Sequence, residues 1–191
     1  WLGGGHEDPH LARFLCGTEG TLALFGAATV ELAPVSPHNA IVASHFATLD
    51  EALHATVEAV RHGPAAVELM DKRILDLSKL NREQDRNRWF VDGDPGAILV
   101  IEFYGQSPEE VRHKCRTMVR ALTEASLGYA HPVIEGPDIQ RVWALRKAGL
   151  GVLFGKPGDV KPVTLVEDTA VAVADLPAFI AEFAEIMAAY R

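Results

Sequence analysis

GDPGAILVIEFYGQSPEEVRHKCRTMVRAL, residues 93–122, carries a turn, a strand and a helix in direct succession. Gly93, Pro95 and Gly96 punctuate the chain, and the apolar run that follows reads as a buried strand with one carboxylate, Glu102, inside it. Ser107 is placed to cap a helix, Pro108 fits its first turn, and Glu110 stands three residues after the cap, the spacing of a capping box. Val111, Cys115, Met118, Val119 and Leu122 then recur at helical spacing and form an apolar stripe. A strand feeding a capped amphipathic helix is half of a βα repeat, so the fold turns on what surrounds it.

Upstream, Thr21–Leu32 and Ala40–Phe46 are rich in small, β-branched and aromatic residues and predict strands, separated by Pro34, Ser36 and Pro37. TLDEALHATVEAVRHG, residues 48–63, predicts a helix capped by Thr48 and Glu51, with Leu53, Val57 and Val60 on one face and Gly63 at its end. AAVELMD, residues 65–71, is a short strand, and Lys72–Arg88 predicts an exposed helix and a loop. Downstream, residues 129–136 predict a strand, 137–149 a helix, and 161–173 a strand. Residues 175–190 predict a closing helix with Phe179, Ile180, Phe183, Ile186, Met187 and Tyr190 facing inward.

Alternation of this kind suits either a parallel Rossmann-like sheet or a ferredoxin-like antiparallel one. Several strands, such as AVELMD and LVIEFYG, carry a charged residue, whereas central parallel strands read as unbroken apolar runs. The expected class is therefore α+β, a ferredoxin-like antiparallel sheet covered by helices, with two related halves as one form of it.

The 191 residues are 48% hydrophobic, enough for a proper core. No run of about 18 uncharged apolar residues and no basic-then-apolar leader is present, which predicts a soluble, cytoplasmic chain. Peripheral contact with the inner face of a membrane, through an electron acceptor, stays open. A net charge of −8 works against nucleic acid as a partner. Cys16 and Cys115 lack the spacing of a disulfide framework, a zinc knuckle or an iron–sulfur site.

Among chemical candidates, Gly17-Thr18-Glu19-Gly20-Thr21 could present backbone N–H groups to a cofactor, or could be a plain turn. His6 and His10 have ligand spacing, but the glycines before them and Pro9 break any helix there, so no metal is expected. Glu167 and Asp168, adjacent on a strand, point to opposite faces and do not make a two-carboxylate hydrolase site. Arg146 is the most informative residue. Ile139, Val142, Trp143 and Leu150 outline one face of its helix, and Arg146 falls within it. A guanidinium aimed inward must meet a carboxylate, either from a ligand or from Glu167, Asp168 or Glu102. Residues 141–161 hold five basic side chains, Arg141, Arg146, Lys147, Lys156 and Lys161, against Asp159, an anion-friendly balance.

LCGTEGTLALFGAATVELAP, AVELMD, VWALRKAGLGVLF and KPVTLVEDTAVAVADLPAFI, in this order, resemble the C-terminal cap domain of FAD-linked oxidases of the vanillyl-alcohol-oxidase type. The likeness is strongest to D-lactate, glycolate and D-2-hydroxyglutarate dehydrogenases, in bacterial forms fused to an iron–sulfur oxidoreductase. The resemblance implies that residues 1–36 end an FAD-binding domain and 37–191 form a substrate-binding cap, the whole being a piece of a longer flavoenzyme. It implies FAD as cofactor, lined by Gly17, Thr18, Glu19, Gly20 and Thr21, and a substrate carboxylate held by Arg146. Lys161 follows at a matching distance as a second contact, although anchoring on EDTAV would place the relatives' lysine nearer Val166. Expected partners are a 2-hydroxy acid, the remainder of the FAD-binding domain and an iron–sulfur module, with an iron–sulfur or quinone electron acceptor. Homo-oligomerisation stays open, no residue is assigned a catalytic role, and the isolated chain is expected to be inactive. The rival expectation is a non-catalytic ferredoxin-like domain for ligand sensing or assembly.

Overall fold

The computed structural model describes residues 11–155, 158–159 and 169–190, and the chain divides into two compact units, Trp1–Val35 and Ser36–Arg191. In the first unit a short helix, α1 (Leu11–Leu15), leads into the glycine turn. The strand expected over Thr21–Leu32 does not form; residues 22–35 run on without regular structure, with Leu24 and Leu32 exposed. An extended segment becomes a strand only when a neighbour pairs its N–H and C=O groups, and these residues have no such partner among those described.

The second unit is built around β1 (His38–Phe46). Thr48 caps α2 (Leu49–Val60), its hydroxyl accepting from Glu51 N, while the Glu51 carboxylate accepts from Ala47 N. The sheet-facing side of α2 is Ala52, Leu53, Ala55 and Ala59, and Val60 is exposed, so the small residues set the face and let the helix lie close to the strands. After Gly63 the chain enters β2 (Ala66–Asp71), α3 (Lys72–Lys79) and α4 (Arg82–Arg86). Next come β3 (Ala97–Gly105) and α5 (Pro108–Glu124). Ser107 accepts from Glu110 N at 3.1 Å and Glu110 accepts from Gln106 N at 2.8 Å, so the capping box forms, its return bond reaching one residue before the cap. The chain continues through β4 (Val133–Glu135), α6 (Asp138–Lys147), α7 (Gly149–Phe154), a 3-10 turn (Val173–Asp175) and α8 (Leu176–Ala188).

The strand order is β2-β3-β1-β4, with every neighbouring pair antiparallel. Two split βαβ units, β1-α2-β2 and β3-α5-β4, interleave so that β1 and β3 sit side by side at the centre: the expected ferredoxin-like α+β fold. One face of the sheet packs under α2 and α5 through Val42, Phe46, Leu99, Ile101 and Phe103 with Met118 and Leu122. The other face is covered too, with Ile41, Ile98 and Val100 meeting Leu75 of α3 and Ile139, Val142 and Leu145 of α6. Glu102 is therefore only 5% exposed; the charge within β3 does not mark a solvated sheet face.

The α8 stripe is only partly buried. Leu176 and Ile180 line a groove with Leu53, Val67 and Leu69, and Phe179 stacks with Phe183 at 6.5 Å. Ile186, Met187 and Tyr190 are 52%, 48% and 85% exposed, because beyond Phe183 the helix has no described surface to pack against. The strand expected over 161–173 lies outside the described residues up to Asp168, and residues 169–173 form none.

Candidate functional site

The buried stripe of α6 is Ile139, Val142 and Leu145, continued by Gly149, whose missing side chain lets α7 approach Ile74 of α3. Arg146 thus stands at the margin of the stripe rather than within it, and Leu150 is exposed. Residues 145 and 146 are both within one turn of Val142, and the apolar one takes the inward position. The correction extends to the partner. Among the described residues Arg146 does not meet Glu102; Glu167 and Asp168, the other two expected acids, lie outside the described residues. It reaches across to Glu68 on β2, an edge strand of the sheet. Nε donates to Glu68 Oε2 at 2.9 Å and Nη2 lies 2.7 Å from that same oxygen. The side chains are 38% and 40% exposed, so the guanidinium is at a rim reached by water.

A second Arg–Glu pair of similar exposure offers a comparison. Arg112 Nε donates to both oxygens of Glu135, at 2.9 and 3.1 Å, and Nη2 donates to Oε2 at 2.9 Å. That carboxylate is fully engaged. Around Arg146, one oxygen of Glu68 takes both contacts on the Nε/Nη2 edge, and the Nη1/Nη2 edge has no partner among the described residues.

Below Arg146 on the same sheet face, buried Glu102 accepts from Asn39 Nδ2 at 2.8 Å and, at 3.4 Å, from the indole N–H of Trp143, one turn before Arg146. Its charge, with burial and a hydrogen bond, raises the phenol of Tyr104 above its ordinary pKa. The basic character expected around this helix is partly used internally. Arg141 donates to Asp138 and to the carbonyl of Arg86, and lies 5.4 Å over the ring of Trp89. Lys147 is exposed, while Lys156 and Lys161 lie outside the described residues, as do His6 and His10.

In the first unit, Gly17, Glu19 and Gly20 all take positive φ, +78°, +46° and +78°. Thr21 N and Oγ1 both donate to Thr18 O, at 2.9 and 2.6 Å, and Thr18 Oγ1 donates to Leu15 O. No heavy atom of the described residues lies within 4 Å of where a Cβ would stand on either glycine. The main chain is therefore bare on that side, as a closely approaching flat ring requires. The residues named for the turn stand together; Arg146 belongs to the second unit, where the structure adds Glu68. The signal for Glu68 was a carboxylate inside the strand AVELMD.

Among the described residues no cluster of His, Cys, Asp and Glu could hold a metal ion, and no helix is long and apolar enough to cross a membrane. The chain matches the family model described as FAD linked oxidases, C-terminal domain, over residues 35–191. It is 28% identical over 188 residues to the D-2-hydroxyglutarate dehydrogenase of Pseudomonas putida, covering 95% of this chain and 19% of that protein. The D-2-hydroxyglutarate dehydrogenase of Haemophilus influenzae is 28% identical over 189 residues, 93% of this chain and 18% of that protein. The D-lactate dehydrogenase of Archaeoglobus fulgidus is 30% identical over 104 residues, 53% of this chain and 23% of that protein. The chain thus spans between 18% and 23% of the length of these relatives.

Proposed function

The chain belongs to the family of FAD-linked oxidase C-terminal domains, and from that membership we propose that it is the substrate-side part of a flavin-dependent dehydrogenase acting on a D-2-hydroxy acid. Residues 37–191 form the cap over the substrate, and residues 1–36 close the FAD-binding domain. The observation that carries this reading is the guanidinium of Arg146: half exposed, held on one edge, with its other edge open among the described residues. A planar fork of N–H donors grips a carboxylate through two parallel bonds, and the substrates of the relatives, a 2-hydroxyglutarate and a lactate, each carry one beside the hydroxyl carbon.

Arg146 binds that carboxylate and fixes the direction of the adjoining C–H, with Lys161 as a second cation on the same group. Gly17, Thr18, Glu19, Gly20 and Thr21 hold the flavin, their bare main chain fitting a ring that packs flat against it. FAD, when bound, supplies the two-electron acceptor for the α-carbon. The side chains described for this chain supply orientation rather than chemistry, a contribution of position and charge. An iron–sulfur module or a quinone takes the electrons onward, and the remainder of the FAD-binding domain completes the cofactor site.

The test is anaerobic titration of the flavin-loaded protein that carries this domain with D-lactate, glycolate and D-2-hydroxyglutarate in turn. One of them is expected to bleach the flavin absorbance, and Arg146→Ala is expected to lower kcat/KM by a factor of about 100 with the fold intact. A protein without flavin, or one whose turnover survives Arg146→Ala, would support a sensing or assembly role instead.

A further inference from the structure

We propose that Glu68 is the positioning residue for Arg146: it clamps the inner edge of the guanidinium so that the outer edge is presented, already oriented, to a substrate carboxylate. The inference rests on the reading of Arg146 as the carboxylate grip and adds the residue that aims it.

Three observations point to a clamp. The first is which nitrogens are used. Glu68 takes Nε and Nη2, the side edge of the guanidinium, and leaves without a partner among the described residues the Nη1/Nη2 end, whose two N–H groups are parallel and match a carboxylate fork to fork. The second is that Arg112 meets Glu135 in the same way, through Nε and Nη2: in this fold a carboxylate set beside a guanidinium holds the side edge and leaves the Nη1/Nη2 end without a partner among the described residues. The third is where the two side chains are anchored. Glu68 projects from a strand paired to β3, opposite Val100, and Arg146 from a helix whose next-door residue, Leu145, is in the core. Both ends of the pair are therefore tied to the rigid part of the fold. A free arginine side chain loses much rotamer freedom on gripping a ligand, and a clamp removes part of that loss in advance.

Carboxylates normally compete for a guanidinium, so Glu68 could instead block the substrate. The two roles predict opposite changes. In the flavin-loaded protein that carries this domain, with D-2-hydroxyglutarate and D-lactate as substrates, Glu68→Ala is expected to raise KM about two- to tenfold, the size expected for freeing one long side chain, with kcat within about twofold. Glu68→Gln, whose amide oxygen can still accept the Nε hydrogen bond, is expected to recover most of the change. In an Arg146→Ala background, Glu68→Ala is expected to change KM no further. Thermal melts of each variant check that the fold is kept, which a half-exposed edge-strand residue should allow.

An unchanged or lowered KM in Glu68→Ala, alongside a large loss in Arg146→Ala, would overturn the clamp and leave Arg146 in place. A KM that Glu68→Gln does not recover would also overturn it. Turnover that is indifferent to Arg146→Ala would overturn both readings together.

Discussion

The ring of His45 joins two segments 47 residues apart: Nε2 accepts the backbone N–H of Asp92 at 3.2 Å, while Nδ1 donates to the carbonyl of Ala43 at 2.9 Å. Each partner dictates the role of the nitrogen it faces, so the imidazole is held neutral with its proton on Nδ1. A second proton, on Nε2, would set one donor against another.

Burial lowers the pKa of His45 below its ordinary 6.5, outweighing the carbonyls around it and the charge of Asp92, and burial lowers that of His131 as well. The unfolded chain binds these protons more readily than the fold does. The stabilisation is therefore complete above pH 6.5 and is lost as the pH falls below it, by up to about 1.4 kcal/mol per pH unit for fully buried His45. Urea midpoints at pH 7.5 and 5.5 would show the fall; equal midpoints would refute the assignment.

The two thiols should behave oppositely. Cys115 lies inside the α5 interface, where burial pushes its pKa up to about 11, whereas Cys16 is exposed. Because the thiolate is the reactive form, a thiol reagent at pH 8 should label one cysteine in the native chain and two after unfolding. Rapid native labelling of Cys115, located by mass spectrometry, would contradict the packing of α5.

Met118 is fully buried between α5 and the sheet, and Ile186 is half exposed on α8. Met118→Ala should cost about 2–5 kcal/mol, while Ile186→Ala should stay within about 0.5 kcal/mol. Chemical denaturation of both variants decides this. A large cost at Ile186 would mean that the far half of α8 is covered after all.

Gly96 donates its N–H to Phe46 O at 2.8 Å, closing the junction between the end of β1 and the start of β3. A methyl group there would run into the backbone carbonyl of Ala47, which no side-chain rotation can relieve. Gly96→Ala should destabilise by about 1–3 kcal/mol, measurable as a fall in Tm, and an unchanged Tm would show that the junction is looser than described.

The parts of the fold that could be read beforehand are those written in neighbouring residues. Ser107, Pro108 and Glu110 specify the start of α5 within a single turn, and Thr48 with Glu51 does the same for α2. The antiparallel sheet was inferred from charges within the strands, yet Glu102 is buried, because α3 and α6 close a face that such a pattern suggests is wet. Whether a face is covered depends on elements distant in sequence, beyond the reach of local periodicity. The same limit explains Arg146: helical spacing brought it to the edge of the stripe, but Glu68, 78 residues away, becomes its partner only through the pairing of β2 with β3 and the packing of α6 above them.

The interleaved strand order also dictates when the sheet can be completed. Of the four strands of this sheet β1 is synthesised first but occupies the interior, and its backbone partners are residues 97–105 on one side and 133–135 on the other. Until those segments are synthesised, an apolar strand stands with both edges unpaired, a state that invites association with other chains. Local pairing cannot shorten the wait, since β1 and β2 are never neighbours. Assembly of this domain is therefore governed by closure of long loops, and the nascent chain is most exposed to aggregation between the emergence of Phe46 and that of Glu135.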